Sequence, residues 1–401
     1  MNINIIRKID QYISPIVCRF LLFFKFFSSF SMKPIDVLFQ KSYKNILILK
    51  FFGFGTILLA APALSKIKKA YPSTEITIFT LSSNYELCEM LPSIDKIICL
   101  NIDNFLTFVI TFIKAFLGIR RRKFNVIIDL EFITNFSALI TLLTTLFANR
   151  KTTVGFNSPI KWRNSVYDVI VSFDHSRHIT KIFSKLVSSL AINDFALNFR
   201  PIRDALLKHA DVEYLANLIE ANDPLKKCDY FLCVNINAGV LSLNRRWPKE
   251  YFNILIRKLI EESNVGILLI GGKEDVDYVS DFQIELPLSP RIINLCGKTS
   301  LKQLIGLLSK SNLLITNDSG ILHAAHVTGL STISFFGPET PYLYGPIGKI
   351  HHVFYDDLFC SPCINIYNSK MSRCKDNICL KSITPDTVIE LVKKKYLFKT
   401  L

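Results

Sequence analysis

No apolar run in this 401-residue chain is long enough to cross a bilayer comfortably. Two come nearest. Pro15 to Phe30 is broken by Arg19 and Lys25; Phe105 to Ile119 is broken by Lys114 and ends in Arg120, Arg121 and Arg122. As helices they would rise only about 22–24 Å, against a hydrocarbon core of about 30 Å. Their basic residues suit helices lying at an anionic membrane surface. That is the expectation for the first forty residues, while Phe105 to Ile119 is equally compatible with a buried helix. A secretory cleavage pattern is also missing, which points to a reducing cytoplasm. Short internal repeats and low-complexity tracts are absent too.

Several common chemistries lack their residues. Gly53-Phe54-Gly55 follows a strand, but Leu58 stands at the third glycine position of a dinucleotide fingerprint. The next strand ends in Thr80 and Leu81 with no acid to hold a ribose, so a nicotinamide role is poorly supported. Gly297-Lys298-Thr299 mimics the end of a phosphate loop, yet Ile292 replaces its first glycine. No nucleophilic triad and no His-Glu-x-x-His helix stands out. Acid is scarce as well, with 33 acidic against 48 basic residues and a formal net charge of +15. Such an excess favours an anionic partner: nucleic acid, anionic lipid or a phosphorylated substrate. The basic residues cluster near the apolar segments and at Lys393 to Lys395, without interleaved aromatics along one face, so no nucleic-acid partner is expected.

What is present suits a large globular protein. Half the residues are apolar and 12% aromatic, which rules out a disordered or fibrous chain. The length exceeds what one core usually serves, so two domains are expected. Asn45 to Phe51 reads as a strand, followed by a glycine turn and a helix from Ile57 to Ala70. Glu75 to Thr80, Lys96 to Leu100 and Asn125 to Leu130 read as further strands with helical stretches between, the alternation of a parallel sheet. The pattern then restarts. Tyr230 to Asn235, Gly266 to Ile270, Asn312 to Thr316 and Ser331 to Phe336 read as strands. Helices are expected at Lys249 to Glu262, Leu301 to Ser309 and Ile321 to Thr328, and the polar, helical stretch Arg203 to Lys227 as a connector.

Three groups carry candidate chemistry. At Thr316-Asn317-Asp318-Ser319-Gly320, with His323 beyond, a strand delivers the chain to a turn where Asp318 or Ser319 can cap the next helix. The first turn of that helix offers unpaired N–H groups to an anion, and a diphosphate fits. At Asn237-Ala238-Gly239 and Asn244-Arg245-Arg246-Trp247-Pro248, a small residue lets backbone approach a ligand and two arginines can pair with phosphate oxygens. Bland alternatives, a plain capped helix and a solvated basic loop, stand beside both. Cys360, Cys363, Cys374 and Cys379 form two short-spaced pairs compatible with a structural zinc, although the irregular spacing favours free thiols or labile disulfides. The other six cysteines are scattered singly, as small core residues usually are.

Four separated pieces resemble glycosyltransferase family 9, in the family's order. Ile46-Leu47-Ile48-Leu49-Lys50 with Gly55 and Ala61-Pro62-Ala63-Leu64 looks like its first strand, glycine loop and "PAL" helix. Arg245-Arg246-Trp247-Pro248 looks like its "KRWP" element, and Leu269-Ile270-Gly271-Gly272 like its "LLGG" strand end. Asn317-Asp318-Ser319-Gly320-x-x-His323-x-Ala325, running on to Phe335-Phe336-Gly337-Pro338, resembles its most diagnostic stretch. The likeness covers most of residues 44 to 390, and the paired cysteines before Ile383-Thr384-Pro385 resemble the closing segment.

The resemblance implies an α/β, GT-B architecture: two Rossmann-like domains whose parallel sheets face a central cleft. The expected layout is a membrane-proximal segment over residues 1–40, an acceptor-binding domain over 41–205 and a linker over 206–229. A nucleotide-sugar domain follows over 230–385, then a basic helix over 386–401. It further implies an inverting, metal-independent transfer with no cofactor, typically of heptose from ADP-heptose to the lipopolysaccharide inner core or a related lipid-linked glycan, at the inner face of the cytoplasmic membrane. Donor-site residues would be Asn237, Gly239, Arg245, Arg246, Gly272, Glu274, Asp318, Ser319, Gly320 and His323. Lys50, Gly53 and Gly55 would line the acceptor side. One departure matters. Thr56 occupies the position of the family's usual general-base aspartate, and threonine takes no proton near neutral pH. Glu131, just past a strand end, is the candidate base, or else a helix cap. The alternative is a non-catalytic binding protein that has lost its base.

Overall fold

The computed structural model describes residues 9–29, 43–132, 134–146, 152–192, 196–239, 243–365 and 372–397. Of the expected membrane-proximal segment, residues 1–8 and 30–40 lie outside these. The chain forms two compact units, Met1–Phe199 and Arg200–Leu401.

The first unit is a six-stranded sheet in the order β3-β2-β1-β4-β5-β6, parallel throughout. Its strands are β1 (Asn45–Leu49), β2 (Glu75–Leu81), β3 (Lys96–Leu100), β4 (Val126–Asp129), β5 (Thr152–Phe156) and β6 (Val169–Val171). The central strands β1, β4 and β5 are buried almost residue for residue, as expected where helices cover both faces. Helix α1 (Ser14–Ser29) precedes the sheet; α2 (Phe54–Ala70) links β1 to β2, α3 (Phe105–Arg121) links β3 to β4, and α4 (Asn135–Leu146) links β4 to β5.

Helix α3 proves half-buried, between its two expected states. Ala115 and Ile119 are buried, and Phe108 and Phe112 pack on the core that includes Leu100, Phe124 and Ile127. Its other side is exposed. No helix among the described residues is long and apolar enough to cross a membrane.

The second unit repeats the plan with the order β12-β11-β10-β7-β8-β9, again parallel. Its strands are β7 (Tyr230–Asn235), β8 (Val265–Leu269), β9 (Ile292–Asn294), β10 (Leu313–Asn317), β11 (Thr332–Phe336) and β12 (His351–Tyr355). Helices α5 (Lys249–Glu262), α6 (Leu301–Lys310) and α7 (Gly320–Thr328) connect them. The expected connector forms three short helices, Arg200–His209, Tyr214–Glu220 and Asp223–Lys226, within this unit.

In both sheets the chain starts in the middle, builds outward on one side and then returns to the other. The strand order therefore reverses between β1 and β4, and between β7 and β10. In open parallel sheets, ligands collect outside the carboxyl ends of strands at such points.

On β12, burial pushes the His351 imidazole down to about 4, with Lys395 adding a smaller effect. The folded chain then binds fewer protons than the unfolded chain between about pH 4 and 6.5, so stability rises with pH through that window. Urea titrations of the full chain should lose about 1–3 kcal/mol from this group on acidification, after allowance for partial exposure. His351→Gln should flatten that part of the pH profile, and an unchanged profile would refute the assignment.

Candidate functional site

At the second unit's reversal point, the loops after β7 and β10 are tied together by a polar lattice. The Asn317 side chain donates to Ile236 O at 2.8 Å and accepts the Trp247 backbone N–H at 2.8 Å. Asn235 donates to Thr316 Oγ1 at 3.0 Å and to Ser319 Oγ at 3.1 Å. Asn235, Asn317 and Thr316 are buried, so every one of these bonds is made away from water, where an unmade one would be costly.

Trp247 sets the arginine loop. Its ring is fully buried, stacks on Phe335 with centroids 4.3 Å apart, and donates through Nε1 to Ile383 O at 2.9 Å. Arg245 is thereby held against the β10 turn. Its guanidinium meets Asp318 Oδ2 at 2.9 Å and Ala238 O at 2.6 Å. Arg246 turns the other way, 3.9 Å over the Tyr278 ring and within the electrostatic reach of Asp275.

Neither expected cap forms at the start of α7. The Ser319 hydroxyl is engaged with Asn235 and Thr316 and makes no cap bond to the helix. The Asp318 carboxylate is turned to Arg245 instead. The first-turn amides, which carry the positive end of the helix dipole, are thus left without a side-chain cap beside a fixed guanidinium. Asn237, 1% exposed, faces Asp275, yet neither of its side-chain polar atoms makes a hydrogen bond of good geometry.

The loop after β8 completes the rim. Gly272 N–H donates to Asp275 Oδ2 at 3.0 Å, and burial raises the Asp275 carboxyl above its ordinary range. Glu274 is exposed, and Gly239 takes a left-handed φ of 71°. His323 is buried one turn into α7. Arg245, Asp318, Ser319 and Gly320 therefore share one locality, with Asn237 and Gly239 on the adjoining strand end.

At the first unit's reversal point lies a second cluster. Glu131, just past β4, is 5% exposed, and all three of its side-chain hydrogen bonds enter Oε1. The donors are Lys50 Nζ at 2.8 Å and the N–H groups of Phe51 and Phe52 at 2.9 Å each. Its backbone is fixed as well: Glu131 N–H donates to Asp129 Oδ1 at 2.9 Å, and Arg163 donates to Glu131 O at 2.8 Å. Arg163 is itself buried beside Asp129, 3.5 Å away, and Tyr167 OH donates to the same carboxylate at 2.5 Å. Burial raises the Asp129 carboxyl and pushes the Tyr167 phenol well up.

Thr56 sits in the first turn of α2, where its hydroxyl donates to Gly53 O at 2.7 Å. Gly53 adopts a φ of 85°, a conformation that favours glycine, and Gly55 is buried in the same turn.

The sequence reading singled out Glu131 and Arg245 together with Lys50, Asp318 and Trp247, and named Asp275 as a lesser candidate beside Glu274. It did not find Asn235 and Tyr278, which lie in unremarkable contexts, or Arg163, a lone arginine with no spacing signal. The four C-terminal cysteines are free thiols: Cys360 is exposed, Cys363 and Cys374 partly exposed, and Cys379 buried. Cys363 lies 3.1 Å from Ser372 Oγ, and Cys374 donates to Asp376 O at 2.9 Å. Among the described residues no group of three or more His, Cys, Asp or Glu is arranged to hold a metal ion.

Two doubly wound parallel sheets, each with a polar cluster at its reversal point, define the two-Rossmann-unit class of α/β protein. The model of glycosyltransferase family 9 (heptosyltransferase) matches residues 118–372, well over half the chain. The chain belongs to that family. It is 30% identical over 155 residues to lipooligosaccharide heptosyltransferase 2 of Campylobacter jejuni, a match covering 37% of this chain and 46% of that protein. The chain thus spans about half the length of that relative. A longer match, 24% identical, joins 88% of this chain to 99% of lipopolysaccharide heptosyltransferase 1 of Campylobacter coli. In fold it is similar to the ADP-heptose LPS heptosyltransferase II of Escherichia coli, with a TM-score of 0.65 and 17% identity over 87% of this chain and 97% of that one. The α/β fold class expected from the sequence, two Rossmann-like units of the kind found in GT-B enzymes, each with its own parallel sheet, is the one found.

Removing Arg245 leaves the Asp318 carboxylate buried without its partner. Arg245→Ala should lower stability in urea by about 2–4 kcal/mol, and adding Asp318→Asn should restore part of it. Simple additivity of the two changes would contradict a direct pair.

Proposed function

We propose that this protein is an inverting glycosyltransferase that moves heptose from ADP-heptose onto a lipopolysaccharide core or related lipid-linked glycan. The observation that carries the reading is the conjunction at the β7–β10 reversal: uncapped α7 amides next to the Arg245 guanidinium. A diphosphate leaving group needs both kinds of donor, aimed where its charge grows. Family membership and the names of the relatives support heptose as the sugar, and the ADP-heptose enzyme of like fold supports the nucleotide.

In this reading the second unit holds the donor. Ser319 and Gly320 N–H and Arg245 take the phosphate oxygens, Asn237 and Gly239 shape the approach, and Arg246, Gly272 and Glu274 face the nucleoside, with His323 backing α7. Asp318 keeps the Arg245 fork in register. No metal ion or cofactor is required, because these groups meet the developing charge. The first unit serves the acceptor, with Lys50, Gly53 and Gly55 around the site. The acceptor hydroxyl attacks the anomeric carbon, the bond from that carbon to the phosphate oxygen breaks, and ADP departs. The hydroxyl proton passes to Glu131, whose Oε2 is left for it because Lys50 and two amides hold Oε1. Thr56 cannot take that proton, because a threonine hydroxyl is far too weak a base near neutral pH. The acceptor is lipid-borne, so the enzyme works as a peripheral protein at the inner face of the cytoplasmic membrane.

Purified full-length protein should release ADP from ADP-heptose when given heptose-deficient lipopolysaccharide core. Arg245→Ala should cut turnover by about two to three orders of magnitude at a temperature where it remains folded. Glu131→Gln should lower it by about two to four orders with donor affinity unchanged. Activity retained in Glu131→Gln would dismiss that residue as base. Tight donor binding with no turnover by the unaltered protein would mean a binding protein instead.

A further inference from the structure

Right-handed crossovers put α3 and α4 on the same face of the first sheet, since both follow connections running in the same direction across it. Helix α1 joins that layer by packing on α4: Cys18, Leu21 and Leu22 meet Ala138 and Leu142. The result is three helices side by side with α4 in the middle.

The outward sides of the two flanking helices are apolar. On α1, Ile16, Phe20 and Phe23 are 68%, 63% and 60% exposed, at one-turn spacing. On α3, Phe105, Ile110 and Ile113 are likewise exposed, the first at 72%. Exposed large apolar side chains in such number normally mark an interaction site. The charges these helices turn outward are all positive: Arg19 on α1 and Lys114, Arg120 and Arg121 on α3, with no acid on either, while Lys25 of α1 is turned inward to Asp168, 3.7 Å away. A second copy of the same face would bring like charges together. Anionic headgroups would not.

Helix α1 is also fixed through the turn that leads into it, Ile9–Ile13, and through Lys25. The Asp10 carboxylate accepts the N–H of Asn135 at 3.1 Å and of Phe136 at 2.6 Å, capping α4. Lys25 Nζ donates to Val166 O at 2.8 Å. The apolar stripe therefore starts beside the α4 N-terminus, four residues beyond Glu131.

We propose that the outer surface of α1 and α3 is the docking face for an anionic lipid bilayer, set so that the membrane lies next to the Glu131 end of the first sheet. This rests on the reading above for its purpose, because a lipid-linked acceptor would arrive at that end. With its apolar stripe in the acyl boundary and Arg19 among headgroups, α1 lies in the interface; at 16 residues it would rise only about 24 Å and is too short to span.

Co-sedimentation of the full chain with vesicles of phosphatidylcholine alone, or mixed with phosphatidylglycerol, tests it. The protein should partition to the anionic vesicles and be released by salt. Phe20→Glu with Phe23→Glu should weaken partitioning at least about tenfold, since two large side chains lose their burial. Ile113→Glu on α3 should weaken it in the same direction, and ADP affinity by calorimetry should stay unchanged in both variants. Equal partitioning of variant and unaltered protein would overturn the proposal, as would absence of binding to anionic vesicles. So would a dimer in lipid-free solution that these substitutions dissociate without affecting vesicle binding. Calorimetry on the same samples reports the donor site separately, so failure of the transferase reading and failure of the docking face are distinguishable.

Discussion

The second unit's site hangs on one buried amide. Asn317 holds Ile236 O with one end and Trp247 N–H with the other, so the β10 turn, the β7 loop and the arginine loop share a single anchor. Everything charged in the site follows from that anchor. Trp247, locked on Phe335, fixes the two residues before it, and the loop's geometry sends Arg245 to Asp318 and Arg246 to Tyr278. Because Arg245 satisfies Asp318 and the hydroxyl of Ser319 is taken by Asn235 and Thr316, the start of α7 keeps its backbone donors without a cap from either side chain. A preorganised donor set of this kind needs little reorganisation when negative charge appears.

The first unit solves a different problem with the same topology. Its reversal point gathers Lys50 from β1 and Glu131 from β4, and a buried Asp129–Arg163–Tyr167 group fixes the Glu131 backbone from behind. Buried charges are costly, and such a group is retained only where its members satisfy one another. Here they hold one carboxylate in a single pose, with three donors on one oxygen. Two copies of one sheet plan thus present opposite chemistries at equivalent places: a cationic, amide-rich turn in one unit and a clamped carboxylate in the other.

Much of the plan was legible in the chain. Strands β3 and β7 and helix α5 begin and end where the sequence pattern places them: β7 is an apolar run near the centre of its sheet, β3 an apolar run at the edge of the other, and α5 carries its buried residues at helical spacing. Strands β5, β6, β9 and β12 were not singled out: β5 opens on two threonines, β6 and β9 have three residues each, and β12 opens on two histidines. Strands that are short or open on polar residues are made by their neighbours more than by their own pattern. Within the sites, the quoted pieces contain Arg245 and Ser319, whereas Glu131 was pointed to by its place just past a strand end. Asp318 capping α7 was a reasonable local expectation that a long-range ion pair overrides. Arg163 and Asp10 were invisible, since their partners lie 34 and 125 residues away, and no local spacing encodes such contacts.

A crystal structure of the full chain with ADP tests the central claim most directly. The account predicts the β-phosphate oxygens within about 3 Å of the Ser319 and Gly320 N–H groups and of the Arg245 guanidinium. ADP bound with its phosphates away from the start of α7, or with Arg245 still engaged only by Asp318 and Ala238, would contradict it.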